Sequence, residues 1–393
     1  MARKQGIKVS LQKEPPKNQK VAVVGGGPGG LAAAYHLALM GYQPSVFEEL
    51  PKLGGMLRYG IPSYRLPRDI LDEEIRFILD VGVEAKTDVR VGRDVTMGQL
   101  IDDNDAVFIA VGAHKSLTLG IQGEELDGVR GGAEFLREAE LGAASQVGQK
   151  VAVIGGGNVA VDVARTCRRM GAEVSILYRR ERKDMPAYED EIEEAVAEGI
   201  ELKVLLAPKS IVKNNGRLTI TLDECELKDF DNSGRRRPVP IRGKTVGFEF
   251  DTIFSAIGQA PDLSFTYTLD AKRGTIVADR HTLATNLPGV FAGGDAVTGP
   301  ARVVDALQHG KRAALEIDRF LSRRRGEKPY EERLENVHVT MKVPEEVVKQ
   351  LRAEMPKLAA EESIRSFKEV ELGFDEETAR KECSRCLRCD VKL

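Results

Sequence analysis

The chain has 393 residues, 42% of them apolar, with 58 Lys plus Arg set against 61 Asp plus Glu for a net charge of −3. That length suits two or three domains, and that balance excludes a broad basic field for nucleic acid. No apolar run is long enough to span a bilayer, and the polar start MARKQGIKVSLQKEPPKNQK lacks the apolar core of a signal peptide, so a cytoplasmic protein without membrane insertion is expected.

Residues 1–19 read as a solvated N-terminal arm, one that could dock on a partner. The first patterned segment is VAVVGGGPGGLAAAYHLALMGYQPSVFEE, 21–49. Four apolar residues give a buried parallel strand, three glycines a turn, an Ala-rich stretch a helix, and SVF a second strand. Gly25 permits the tight turn, Gly27 lets backbone approach a pyrophosphate, and Gly30 lets the helix pack close to the strand. The unpaired amides at the helix start, with the helix dipole behind them, would hold phosphates. Glu48, at the end of the second strand, stands where a carboxylate accepts hydrogen bonds from a ribose diol. Further on, AVFIAVGA (106–113) is an apolar strand ending at Gly112, which lets a cofactor come close. A glycine-dotted connector with a short helix fills 116–148.

The segment VAVIGGGNVAVDVARTCRRMGAEVSILYRR (151–180) repeats the first unit. Gly25 to Glu48 and Gly155 to Tyr178 are both 23 positions, and the two copies are offset by 130 residues. Gly155 and Gly157 repeat the turn, Asn158 and Val159 open the helix, and Ala160 takes the place of Gly30. A lone glycine fingerprint is weak evidence, but two copies in register point to two dinucleotide sites. The second copy ends in Tyr178, Arg179 and Arg180 instead of a carboxylate. A carboxylate would repel a ribose 2′-phosphate and arginines would pair with it, so NADP is expected there, with NAD and arginine stacking on adenine as the alternative.

EDEIEEAVAEG (189–199) has helical periodicity with one solvated side, and GRRRPVPIRG (234–243) reads as a surface excursion. TIFSAIGQ (252–259) is a second apolar strand ending in a glycine, Gly258, at a place for close cofactor approach. Cys167 and Cys225 stand alone, with no C-x-x-C pair within the second unit to take electrons from a flavin, and read as packing residues. The five histidines follow no metal-ligand spacing and read as structural or surface groups. Residues 326–393 read as a charged C-terminal arm that wraps a neighbour, with VHVTMKVP as an edge strand and two helical runs within 326–373. Its end places Cys383, Cys386 and Cys389 at C-x2-C-x2-C spacing. That spacing suits three corners of a [4Fe–4S] cluster completed by a partner; a zinc site or a cysteine docking tail is the alternative.

Three stretches together resemble the glutamate synthase small-subunit family, which also includes the flavin half of dihydropyrimidine dehydrogenase: GGMLRYGIPSYRLPRDILDEEI (54–75), the second repeat with LYRRERKDMPA (177–187), and NLPGVFAGGDAVTGPARVVDALQHGKRAA (286–314). The likeness runs from about residue 20 to 325. It implies an α/β fold of two Rossmann-like domains. The FAD domain is split between 20–115 and 261–325, and an NAD(P) domain at 149–260 is inserted into it. It further implies that Gly54, Gly55 and Met56 line FAD, with Arg65 near its phosphates or ribose and Val91 at its adenine end. Asp295 would bond the ribitol, and a helix from Ala301 through Val303 would face the flavin N1/C2=O edge. In that family an N-terminal cysteine-rich domain carries iron–sulfur clusters. Here about twenty cysteine-free residues precede the first strand, so the expectation is an electron-transfer subunit whose partner holds the clusters. A free-standing NAD(P)H:ferredoxin reductase or diaphorase, and a scaffold with inert FAD, remain open at this point.

Overall fold

The computed structural model describes residues 11–143, 146–231, 234–266, 268–331 and 351–384. Two five-stranded, all-parallel sheets organise it. The first has the spatial order Val290–Ala292, Ala106–Ile109, Lys20–Val24, Gln43–Phe47, Glu84–Lys86. The second has the order Val129–Gly131, Thr252–Ser255, Lys150–Ile154, Glu173–Tyr178, Glu201–Val204. The repeat persists down to strand register: Lys20 faces Gln43 as Lys150 faces Glu173. The central strands are apolar throughout because both faces are covered, and Val21, Val23, Val151 and Val153 have no exposed surface.

In the first unit, helix Pro28–Leu39 lies against the sheet and against the long helix Val303–Arg325. The crossing is set by small residues: a methyl placed on Gly310 would sit 2.2 Å from the carbonyl oxygen of Gly29. In the second unit, helix Asn158–Arg169 covers one face. A three-stranded antiparallel sheet, Leu206–Asn214, Arg217–Phe230 and Arg236–Phe250, covers the other through Ile211, Leu218, Ile220 and Leu222.

Three expectations need revision. The stretch 234–243 is no simple excursion, since most of it belongs to the 15-residue strand Arg236–Phe250. Pro238 and Pro240 hide that strand in the sequence, and both are tolerated because it is the sheet's edge. Inside the connector, Val129–Gly131 pairs with Thr252–Ser255, and helix Gly132–Glu140 adds Phe135 and Leu136 to the second core. Residues 11–19 of the arm dock on their own chain: the Glu14 amide donates to the Leu39 carbonyl at 2.8 Å, and Lys17 pairs with Asp318 at 2.7 Å.

The C-terminal arm likewise clasps its own chain. Lys357 pairs with Glu194, and the Val370 amide donates to the Tyr64 carbonyl at 2.9 Å. Within 326–373 the described residues hold the short helix Ala360–Ser363, a further helix, Glu376–Ser384, lies beyond that stretch, and the VHVTMKVP strand lies outside the described residues. No described helix is long and apolar enough to cross a membrane.

Candidate functional site

The first glycine turn opens onto a cleft. Gly25 adopts φ +104°, and a methyl there would lie 2.5 Å from the Ala110 carbonyl oxygen, so strand, turn and neighbouring strand meet without side chains. A methyl on Gly30 would be 1.9 Å from the Gly25 carbonyl oxygen, which is the close helix packing expected of it. Gly27 is the N-cap of helix Pro28–Leu39, and a methyl there would meet only the Gly55 Cα, at 3.6 Å. Room for a phosphate is therefore left in front of the helix amides.

Glu48 is held from behind. Its Oε2 accepts from the Gly26 amide at 2.8 Å and its Oε1 from the Leu50 amide at 2.9 Å, while burial pushes its carboxyl up from the usual range. Gly25, Gly27 and Glu48 border the cleft, together with Gly55, Met56, Val91 and Gly112. Asp295, Ala301 and Val303 close it from the returning segment. Burial pushes Asp295 up to about 6, and its Oδ1 accepts from the Ala301 amide at 3.2 Å. The long helix begins at Val303, not Ala301; Asp305 in its first turn accepts from the Arg302 amide at 3.4 Å and pairs with the Arg302 guanidinium at 3.0 Å. Gly54 stands just behind the lining, its amide donating to the Gly26 carbonyl at 2.8 Å.

Sequence reasoning missed two histidines here. His114 lines the cleft, and burial pushes it down to about 4, so it is neutral at physiological pH. His309 Nδ1 accepts from the Gly294 amide at 3.0 Å, fixing the loop that carries Asp295; burial and Arg312 keep it in the accepting form. Neither has a motif that would announce it, since each acts through a fold contact between distant segments.

The second turn has the same backbone. Gly155 has φ +147°, with a virtual methyl 2.2 Å from the Ala256 carbonyl oxygen, and Gly157 caps helix Asn158–Arg169. Ala160 is fully buried and Val159 packs beside it. The Asn158 Oδ1 accepts from the Tyr188 amide at 3.1 Å, and the Gly258 carbonyl accepts from the Leu117 amide at 3.0 Å. In place of Glu48 stands Tyr178, which packs its ring on Gly156 and donates its hydroxyl to the Asp184 carbonyl at 2.7 Å.

The charges beyond it sort themselves. Arg180 is turned away from the expected role: it is buried, pairs with Asp231 at 2.5 Å and donates to the Arg236 carbonyl at 2.8 Å. Arg182 pairs with Glu189 at 2.5 Å and Lys183 with Glu181 at 2.8 Å. Arg179 is exposed and has no hydrogen bond or ion pair to a described residue.

Arg65 is a second correction. It does not line the cleft; its Nη1 donates to both Asp162 oxygens at 2.8 and 2.9 Å, and its Nη2 pairs with Glu191 at 2.7 Å. The helix 189–197 is solvated on one side, where Glu189, Asp190 and Glu193 are exposed, and packs its other side against its own unit. Glu191, Glu194 and Glu198 form a stripe toward Arg165, each within 2.8 Å of its guanidinium. Matched spacings of Arg165 and Arg169 with that stripe were the available signal.

Cys167 and Cys225 are buried singly, as packing residues, and burial pushes both thiols up. Cys383 is exposed, Cys386 and Cys389 lie outside the described residues, and no metal-holding group of His, Cys, Asp or Glu occurs among the described ones.

A family model described as pyridine nucleotide-disulphide oxidoreductase matches residues 19–310. The chain is 46% identical over 389 residues to the NADP(+)-dependent formate dehydrogenase subunit beta of Moorella thermoacetica, a match covering 94% of this chain and 54% of that one. This chain thus spans little more than half the length of that relative. It is 34% identical over 325 residues to the glutamate synthase (NADPH) small chain of Escherichia coli K12, covering 77% of this chain and 69% of the other. Among solved structures, FprA from Mycobacterium tuberculosis in complex with NADPH superposes with a TM-score of 0.68 at 19% identity, over 81% of this chain and 88% of that one. At that identity the likeness shows the fold: two dinucleotide-binding units.

Proposed function

The chain belongs to the pyridine nucleotide-disulphide oxidoreductase family, in the group that contains the glutamate synthase small chain, and from that premise we propose that it is an FAD-dependent NADP(H) oxidoreductase working as the electron-transfer subunit of a larger complex. One observation carries the reading. The same strand–turn–helix–strand unit occurs twice; the first copy ends in an anchored carboxylate over a deep cleft, the second in Tyr178 and the exposed Arg179.

The first cradle fits FAD. Gly27 and the amides of helix Pro28–Leu39 would take its pyrophosphate, Glu48 its ribose, and Asp295 its ribitol, with the amides of helix Val303–Arg325 at the electron-rich edge of the ring. The second cradle fits NADP: the amides of helix Asn158–Arg169 would take the pyrophosphate and Arg179 the 2′-phosphate. Bound together, such cofactors supply hydride exchange between nicotinamide and flavin and onward single-electron transfer. The protein contributes position and polarity: helix amides bind phosphates, Glu48 orients a ribose, and the cleft walls exclude water.

Cys167 and Cys225 are buried and solitary, so neither forms a redox-active pair beside the cradles, and an iron–sulfur protein is the electron partner in this reading. The relatives' names, each a subunit or small chain, support the same direction. Gentle native purification followed by iron analysis tests this. Co-elution of an iron-rich subunit is expected, and an iron-free, monodisperse chain with full NADPH-driven reductase activity towards a soluble ferredoxin overturns it.

A further inference from the structure

The loop between the flavin cleft and the second unit is built as a rigid piece. Met56 and Ile61 lie on the cleft wall. Behind them, Arg68 donates to the carbonyls of Leu57, Arg58, Ile61 and Leu66 at 2.7–3.3 Å and pairs with Glu140 of the second unit at 2.9 Å. One guanidinium thus uses its donors to freeze the loop into a single shape.

The apex of that loop, Tyr64–Arg65, is inserted into the second unit. Tyr64 has no exposed surface; the Arg169 guanidinium lies 3.8 Å from its ring centroid and that of Arg165 5.2 Å. Arg65 grips Asp162 with two hydrogen bonds and Glu191 with an ion pair. Asp162 lies one helical turn beyond Asn158, on the helix whose first amides form the second phosphate cradle. The position of Arg65 therefore fixes that cradle relative to the cleft wall.

We propose that Arg65 is a positioning residue that sets the separation between the two cradles, and so between nicotinamide and flavin, an inference that rests on the cofactor assignment above. The charges are arranged for this. Arg65, Arg165, Arg169 and Lys357 are met by Asp162, Glu191, Glu194 and Glu198, so each cation at the junction has an acidic partner. Buried pairs of this kind add little stability over apolar packing, while their directional hydrogen bonds narrow the geometries in which the two units can meet. Hydride transfer is sensitive to misplacement on the scale of an ångström, so a narrow range of geometries is what the chemistry needs. The arm adds a clamp at the same place, through Lys357 on Glu194 and the Val370 amide on the Tyr64 carbonyl.

The test uses the full-length, FAD-loaded protein with Arg65→Met and Arg65→Lys. In Arg65→Met, flavin reduction at saturating NADPH slows tenfold or more while the NADPH dissociation constant changes less than threefold. Amide hydrogen exchange speeds up in both 60–66 and 158–169, measured without nucleotide. Arg65→Lys keeps one point charge and recovers part of the rate. If Arg65→Met does not fold, the Lys variant alone decides, with slowed reduction at unchanged flavin content. Reduction within twofold of wild type in the variants, or a loss confined to the dissociation constant, overturns the inference. Failure of the wild type to be reduced by NADPH would instead sink the oxidoreductase reading itself.

Discussion

The two cradles are built on one backbone and diverge at the residue that ends the second strand. At the end of Gln43–Phe47, Glu48 is pinned by the amides of Gly26 and Leu50. At the end of Glu173–Tyr178, the equivalent Tyr178 turns its hydroxyl to the Asp184 carbonyl and shields Gly156 with its ring. The helix entries differ as well: no methyl fits at Gly30, whereas the second copy accommodates Ala160. The fold repeats the turn and helix entry, and the two copies differ in the side chains at and just beyond the strand end, Glu48 in one and Tyr178 with Arg179 in the other.

The largest effects should come from the turns. Gly30→Ala forces a methyl onto the Gly25 carbonyl and should yield protein without flavin, read as loss of visible absorbance after gel filtration. Ala160→Gly, its counterpart, should keep the flavin and cost only about 1 kcal/mol of helix stability in a denaturant titration. A yellow Gly30→Ala protein would break the comparison.

Next come the ribose positions. Glu48→Ala leaves the Gly26 and Leu50 amides unpaired and should weaken FAD binding by about 2–3 kcal/mol, roughly 30- to 150-fold, by fluorescence titration. Arg179→Ala should raise KM for NADPH about tenfold while changing that for NADH less than twofold, the loss of one charge-assisted bond. Arg180→Ala, by contrast, removes a pair to Asp231 and should lower stability without changing the NADPH/NADH ratio. Equal shifts for Arg179→Ala with both nucleotides would remove the 2′-phosphate assignment.

The smallest effect concerns pH. Burial pushes Asp162 up to about 7, above the usual carboxyl value near 4. Between those values the folded chain holds a proton that the unfolded chain releases, so this group's contribution to stability falls as pH rises through that window. Wild-type Tm should therefore decline relative to that of Asp162→Asn between about pH 4 and 7, followed by scanning calorimetry. A difference that widens the other way would show that Arg65 outweighs the burial.

What the sequence revealed was periodic and local: both turns, their glycines, Glu48 and the strand ends. Its blind spots were contacts across the fold. Arg65 sits in a motif that suggests cofactor contact, yet it points into the other unit because Asp162 and Glu191 are nearer partners. Arg180 looks like the twin of Arg179, but the hairpin carrying Asp231 captures it. His114 and His309 have no signature at all, since one is defined by the cleft it borders and the other by a single backbone amide. The prolines of Arg236–Phe250 broke the alternation that would have announced a strand.

Anaerobic titration with NADPH, followed at the visible flavin band, tests the pairing of the two cradles most directly. One equivalent of NADPH should bleach one bound FAD. A fully flavin-loaded protein whose band persists under excess NADPH and NADH alike would contradict the account.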